Sequence, residues 1–333
     1  MNLDKDRIGI YLVHYLDDVL FDELADSYLE KAGISDILSG VPVPLMKNKL
    51  DSMSTLRLAR NMAFVIGCDP TFEYGENYRQ YILRTFQKQF ANGLIGDGME
   101  GAEREDYDYA CIQFRAAMQI DPDNADAYYC YGRACKDSYE KGGEEDYVGR
   151  YKAEALEAFE VATIKNPNHR DALYFLGYGY LNMGLYVKAK LTWEEFLKIN
   201  TDQELKEEIQ GRMAQLESPM EIEKGYNLIL SQHYEEGLET LLKYNDTQFA
   251  NWWPLWYYMG MAHEALGNTD EAISDFKEVL KYNPSSLDTM EQLVRLYKES
   301  GQKDMEKKYA DKMAIVLKNI EDEEKDTKDT KLN

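Results

Sequence analysis

Histidine is scarce, with four in 333 residues. His14, His169, His233 and His263 lie 30 or more residues apart. No HExxH motif and no cluster with metal-ligand spacing is present, which leaves no metal site and no catalytic histidine constellation to propose. Cysteine is equally sparse, with Cys68, Cys111, Cys130 and Cys135 and no CxxC pair. Cys130 and Cys135 are five residues apart, which on a helix sets them on different faces, so neither a bridge nor a shared metal is favoured. Three of the four sit in apolar helical patterns and read as small buried hydrophobes. Unpaired thiols fit a reducing compartment, so the expected localisation is cytoplasmic. Long apolar runs are missing too. No window approaches the eighteen or so uncharged residues that a spanning helix needs, so membrane insertion is not expected. The opening Met1–Arg7 mixes both charges, and the apolar run from Ile8 is interrupted by His14 and closed by Asp17 and Asp18, unlike a signal peptide. Without secretion, the sequon Asn245-Asp246-Thr247 carries no meaning. Positive charge is in deficit, with 38 Lys and Arg against 61 Asp and Glu and a net charge of -23. Such a chain repels polyphosphates at long range, which argues against nucleic acid and anionic membranes as partners.

What is present is a repeat. Three segments end alike: Ala110-x3-Phe114-x2-Ala117 then Pro122, Ala155-x3-Phe159-x2-Ala162 then Pro167, and Ala272-x3-Phe276-x2-Val279 then Pro284. A fourth reads Ala189-x3-Trp193-x2-Phe196, with Thr201 in place of proline. Each follows a helical pattern carrying a glycine: Gly98, Gly132, Gly177 and Gly260. Gly98 to Gly132 is 34 residues, as is Ala155 to Ala189, whereas Gly132 to Gly177 and Ala110 to Ala155 are both 45. The second repeat therefore carries 11 extra residues, expected in the charged stretch Ser138–Arg150 around Gly142-Gly143. Small residues at this interval let paired helices approach closely, and large residues at helical spacing fill the seam. Proline after the second helix of each pair blocks its continuation.

In these positions the sequence resembles the tetratricopeptide repeat family, whose pattern is W-x2-LG-x2-Y, A-x3-F and P over about 34 residues. The best match is Trp256-x2-Met259-Gly260-x2-His263, Ala272-x3-Phe276, Pro284, followed by Tyr128-x2-Tyr131-Gly132-x2-Cys135 and Leu173-x2-Leu176-Gly177-x2-Tyr180. The repeat at Gly98 departs from the pattern, with Asp97 and Gly101 where leucine and tyrosine are usual. The resemblance implies an all-α fold, a right-handed superhelical solenoid of antiparallel helix pairs, here with a helical N-terminal extension. Three repeats are expected over 91–201. An extra helix follows over 202–217, where Leu205, Ile209, Met213 and Leu216 recur at helical spacing. Two or three further repeats, including a C-terminal cap, cover 218–320. Ser218-Pro219-Met220-Glu221 is expected to cap the first of these, and the last is built around Met290, Leu293 and Tyr297 with Gly301. Residues 1–90 read as helical, with faces Ile8/Tyr11/Leu12/Tyr15 and Leu20/Leu24/Leu29, a break at Gly40–Pro44, and helices near 46–67 and 72–92; they form degenerate repeats or a separate region. Residues 321–333 have almost no apolar side chains and are expected to be disordered.

In the family, partner segments lie along the concave face, lined by positions 2, 5, 9, 12 and 13 of each first helix. With the glycine at position 8, the resemblance assigns Asp126, Tyr129, Arg133 and Lys136 in the second repeat. It assigns Asp171, Tyr174, Tyr178, Leu181 and Asn182 in the third, and Pro254, Tyr257, Met261 and Glu264 in the fifth. The expected partner-binding residues are Tyr129, Arg133, Tyr174, Tyr178, Asn182, Tyr257 and Met261, a tyrosine ladder with one arginine. Tyrosine suits an interface because it buries much area at low entropic cost and keeps a hydroxyl for hydrogen bonding. Chaperone-serving family members hold a C-terminal carboxylate with a Lys–Asn–Lys–Arg clamp. Tyr129, Tyr174 and Tyr257 stand where its lysine would be, so that role is disfavoured. Self-filling of the groove, by the extra helix or the N-terminal segment, is the alternative.

Two features point toward other chemistry. Gly96-Asp97-Gly98-Met99-Glu100-Gly101 matches GxGxxG, but what precedes it reads as helix, and two carboxylates would face the pyrophosphate. Asp17, Asp18 and Glu23 cluster in the N-terminal region and would be the core of an enzyme reading, yet such clusters are usually a solvated face. The favoured reading is a non-enzymatic scaffold or adaptor for a protein or peptide, with no cofactor. A ligand- or peptide-sensing regulator and an enzyme sited in residues 1–90 are the alternatives.

Overall fold

The computed structural model describes residues 6–47 and 54–330. It divides into two compact units, Met1–Met183 with Lys188–Ile209, and Gly184–Val187 with Gln210–Asn333.

The first unit opens on a short helix α1 (Gly9–Leu12) and a 3-10 turn (Val13–Asp18). Strand β1 (Val19–Glu23), helices α2 (Asp26–Ala32) and α3 (Ser35–Leu38), and strand β2 (Pro42–Met46) follow. The strands pair antiparallel with Val19 opposite Met46 and Phe21 opposite Pro44. This corrects the all-helical reading of the N-terminal region. Leu20 belongs to a strand and not to a helical face, and Gly40–Pro44 leads into a second strand and is more than a break. The reason is local: proline can sit in a strand whose amide side needs no ladder partner, and a two-stranded sheet is all edge. Residues 48–53, within the helix expected from 46, lie outside the described residues.

Helices α4 (Thr55–Cys68) and α5 (Gly75–Phe86) form a pair whose first member packs on the repeats. A Cβ on Gly67 would collide with the Ile112 carbonyl oxygen, so only glycine lets these backbones come so close. The helix expected to run to residue 92 is interrupted. Gln87 has φ +60, a conformation that no helix can continue through, and a new helix starts at Phe90.

Three antiparallel pairs follow: α6 (Phe90–Glu103) with α7 (Tyr107–Ile120), α8 (Ala125–Glu140) with α9 (Glu145–Lys165), and α10 (Arg170–Asn182) with α11 (Tyr186–Ile199). The starts of α8 and α10 are capped by side chains. Asn124 accepts from the Ala127 amide, and His169 Nδ1 accepts from the Ala172 amide. The glycine–aromatic pattern is the seam of each pair. A Cβ on Gly98 would lie 2.6 Å from Phe114, one on Gly132 would lie 2.8 Å from Phe159, and one on Gly177 would collide with the Trp193 indole. All of Ala110, Phe114, Ala155, Phe159, Ala189 and Trp193 are buried. The 11 extra residues do not form a loop, contrary to what their charge and glycines suggest. They lengthen α8 and α9 to 16 and 21 residues, leaving Lys141–Glu144 as the turn, with Gly142 and Gly143 at φ +89 and +150. Apolar residues at helical spacing along both helices outweigh the local turn signal.

Residues 6–15 lie across these pairs and are held by ions. Asp6 binds the buried Arg115 guanidinium, and Arg7 reaches Glu154 at 3.0 Å and Glu157 at 2.6 Å. Glu154 also accepts from the Tyr131 hydroxyl at 2.9 Å, and Tyr15 donates to Asp108 at 3.0 Å. Burial pushes the Glu154 carboxyl up, and these donors pull it back toward the charged form.

The extra helix is α12 (Gln203–Ala214), which agrees with the helical spacing of Leu205, Ile209 and Met213. Beyond it α13 (Glu217–Leu230) pairs with α14 (Tyr234–Leu242), α15 (Trp253–Ala265) with α16 (Thr269–Tyr282), and α17 (Leu287–Glu299) with α18 (Lys303–Thr330), all in the second compact unit. Helix α13 begins one residue before the expected cap, so Ser218 is inside the helix and Pro219 lies in its first turn, where no intrahelical amide is lost. Gly225 meets Leu241 and Gly260 meets Phe276 as the repeat requires, where an added Cβ would come within 2.5 and 2.8 Å. The backbone of α18 is helical to Thr330, where the composition predicts an unstructured tail from 321. Glutamate and lysine are good helix formers, and extending an existing helix avoids the cost of a new nucleus. Residues 331–333 lie outside the described residues.

Helix α6 supplies a matched pair of substitutions. A Cβ on Gly98 collides with Phe114, whereas one on Gly96, two residues earlier, meets nothing within 4 Å. Gly98→Ala is expected to destabilise the chain by about 1–3 kcal/mol through overpacking. Gly96→Ala is expected to stabilise it by about 0.5–1 kcal/mol through helix propensity. Urea unfolding of the two variants measures both, and effects of the same sign would show that the aromatic ring does not set this crossing.

Candidate functional site

The residues singled out on the first unit's helices come together as one aromatic and cationic surface. On α8, the Arg133 guanidinium lies 4.2 Å over the Phe175 ring, donates to the Tyr129 hydroxyl at 3.4 Å and pairs with Asp137 at 3.6 Å. Tyr129 packs its ring 4.7 Å from His169 and 6.3 Å from both Phe159 and Phe175. Phe159 and Phe175 stack at 5.7 Å. One turn apart on α10, the rings of Tyr174 and Tyr178 meet edge-on at 5.2 Å, and Tyr178 meets Trp193 at 5.0 Å. These tyrosines are half-buried, and Asn182 at the end of α10 is exposed. A cation over a ring and edge-to-face aromatic pairs each add to plain burial.

Two members give no clear sign in the sequence. Phe175 stands beside a face position and reads as ordinary core, yet it is the ring on which Arg133 lies. The other is Glu208 of α12. Its carboxylate accepts from the Tyr174 hydroxyl at 3.0 Å and also from Tyr178. Burial raises the Tyr174 hydroxyl pKa and the carboxylate raises it further, which keeps the proton on this donor. The apolar spacing of 203–216 reveals the helix but not where its charged side reaches.

In the second unit Tyr257 sits edge-on to Phe276 at 5.8 Å and to Trp253 at 6.3 Å. Met261 packs beside it against the core. His263, at the family's aromatic position, shares a hydrogen bond of 2.7 Å from Nδ1 with Asp275 across the α15–α16 pair. Glu264 is bound by Arg295. The seven predicted residues thus fall in two groups, Tyr129, Arg133, Tyr174, Tyr178 and Asn182 in the first unit and Tyr257 and Met261 in the second.

The glycine motif and the acidic cluster resolve as packing and surface. Gly96–Gly101 lies inside α6, with Gly98 against Phe114 and Gly101 against Tyr109, so no loop exists to cradle a phosphate. Asp17, Asp18 and Glu23 are exposed, in the 3-10 turn and at the end of β1. Among the described residues no group of three or more His, Cys, Asp or Glu could hold a metal ion, and no helix is long and apolar enough to cross a membrane.

Comparison with known proteins agrees with the geometry. The tetratricopeptide repeat family profile matches residues 253–286, the helix pair α15–α16. The TPR repeat-containing protein MJ1428 of Methanocaldococcus jannaschii is 22% identical over 233 residues, 63% of this chain. Residues 253–286 of this chain match a tetratricopeptide repeat, and the chain is similar to proteins of that family. It spans 40% of the length of that archaeal relative. Among solved structures, the TPR domain of P58(IPK) is 13% identical, with 91% of this chain and 87% of that one covered and a TM-score of 0.46. YrrB, described as a TPR protein with an unusual peptide-binding site, is 18% identical, with 61% and 91% covered and a TM-score of 0.29. Proteins with this repeat are generally scaffolds rather than enzymes.

The His263–Asp275 pair gives the protein a pH dependence of definite sign. Burial raises the Asp275 carboxyl from 3.8 to about 6, and the bond to His263 opposes that shift. A carboxyl that holds its proton more tightly when folded adds stability below its unfolded pKa, and that stability is lost as pH rises through the folded value. Through this group, stability should therefore fall between about pH 4 and 6. Asp275→Asn should remove that part of the slope in urea unfolding series at stepped pH; parallel curves for variant and parent would reject the assignment.

Proposed function

We propose that this protein is a non-enzymatic scaffold that holds an extended segment or helix of a partner protein on the surface formed by Tyr129, Arg133, Tyr174, Tyr178 and Asn182, with Tyr257 and Met261 as a second contact region. One observation carries this reading: the Tyr174 and Tyr178 hydroxyls converge on a single carboxylate supplied by the extra helix α12. The same contact fits the alternative of a groove filled by the extra helix; on the scaffold reading a partner's acceptor takes the place of Glu208 on these two donors. Tyrosine and arginine are also the residues that dominate protein interfaces when they are packed and preorganised. The four cysteines are free thiols, which suits a reducing compartment, and we place the protein in the cytoplasm on that account. The net charge of -23 argues against nucleic acid as the partner.

The test is capture of the native partner by the full chain and by the double variant Tyr174→Ala, Tyr178→Ala, with circular dichroism to verify that the variant is folded. Loss of at least tenfold in retained partner is expected, in line with two interface tyrosines of ordinary weight (each about 1 kcal/mol or more). Undiminished capture by a folded variant rejects the site.

A further inference from the structure

The stretch that holds the 11 extra residues of the second repeat contributes two residues to a cavity. By lengthening α8 and α9 it brings Tyr139 and Gly149 to the mouth of this cavity of about 270 Å³ between α8, α9 and α10. Its floor is apolar, with Leu156, Phe159 and Phe175, and Met183 stands 61% exposed at its edge. Two cations line it, Lys136 and Lys152, and no acidic residue does, in a chain where acids outnumber bases by 61 to 38. Lys136 is shared with Glu140 at 2.5 Å. Lys152 Nζ lies 5.6 Å over the Tyr139 ring, with no ion pair to it among the described residues. The site adjoins the binding surface proposed above, since Tyr178 and Asn182 also line it.

We propose that this cavity takes a bulky apolar side chain of the partner segment whose neighbouring residue is aspartate or glutamate, the carboxylate pairing with Lys152. The proposal rests on the scaffold reading and specifies what that partner presents. An apolar floor without polar partners rewards burial of a ring or branched chain. A single cation lacking a carboxylate favours one anionic group at the rim, and its contact with Tyr139 holds the ammonium near the mouth. A basic side chain would be repelled there, and a neutral one would gain only the floor.

Four blocked octapeptides differing at one central pair, Asp-Phe, Asn-Phe, Lys-Phe and Asp-Ala, are titrated into the full chain carrying labelled methionine methyl groups. The Asp-Phe peptide is expected to shift the Met183 methyl resonance and to bind roughly fivefold more tightly than Asn-Phe at low salt, the upper range for an exposed ion pair. Asp-Ala should bind too weakly to saturate. Lys152→Glu, a substitution at an exposed position, should reverse the order so that Lys-Phe binds better than Asp-Phe. A still Met183 resonance, equal binding of Asp-Phe and Asn-Phe, or an order unchanged by Lys152→Glu would overturn the proposal. If that happens while native-partner capture still depends on Tyr174 and Tyr178, the cavity assignment alone has failed. If capture is indifferent to both tyrosines, the scaffold reading beneath it has failed.

Discussion

In four of the helix pairs an aromatic ring lies in the space that a glycine leaves open on the facing helix. Phe114 sits on Gly98, Phe159 on Gly132, Trp193 on Gly177 and Phe276 on Gly260, each so close that a methyl group could not be added without displacing the ring. The contact sets how near the helices come, and so where the neighbouring residues of each first helix sit about the seam. Tyr129 and Arg133 are placed relative to Gly132 in this way, as are Tyr174 and Tyr178 relative to Gly177. Interiors are packed at crystal density, so such a contact is not easily traded for another. The surface proposed for binding is therefore a consequence of the small residue behind it.

Among the described residues, three of the departures from regular repetition add chemistry. The lengthened α8 and α9 enclose an apolar cavity beside Lys152, whose ammonium lies over a tyrosine ring. The extra helix α12 delivers Glu208 to two tyrosine hydroxyls. The segment from Asp6 to Tyr15 brings charge onto buried partners, with Arg115 and Glu154 both almost wholly inside. Buried ions are costly unless fully partnered, and replacing them by apolar residues often costs nothing. Their value here is in fixing where the N-terminal segment docks, since a misplaced Asp6 or Arg7 would leave Arg115 or Glu154 without its counter-charge.

Most of the fold is legible in the sequence because its determinants are periodic. Glycine, alanine and aromatic residues recurring every 34 or 45 positions identify the helix pairs and the place of the insertion. The family match at 253–286 falls on the pair whose pattern is clearest. The N-terminal strands are not legible. Val19–Glu23 and Pro42–Met46 are short, carry no long period, and become strands only by pairing with each other across 18 intervening residues. The candidate site is half legible. Tyr129, Arg133, Tyr174 and Tyr178 are what the family resemblance implies once its face positions are counted from each glycine, while Phe175 gives no signal distinguishing it from core.

The sequence by itself determined the helix pairs and their seams, because these depend on spacing within about one repeat. Tertiary structure alone decided that Glu208 meets Tyr174 and Tyr178, that Arg7 meets Glu154, and that the insertion forms cavity walls instead of a loop. Those contacts join residues 30 to 147 positions apart, and no local period encodes which charged side chain of one helix reaches which hydroxyl of another.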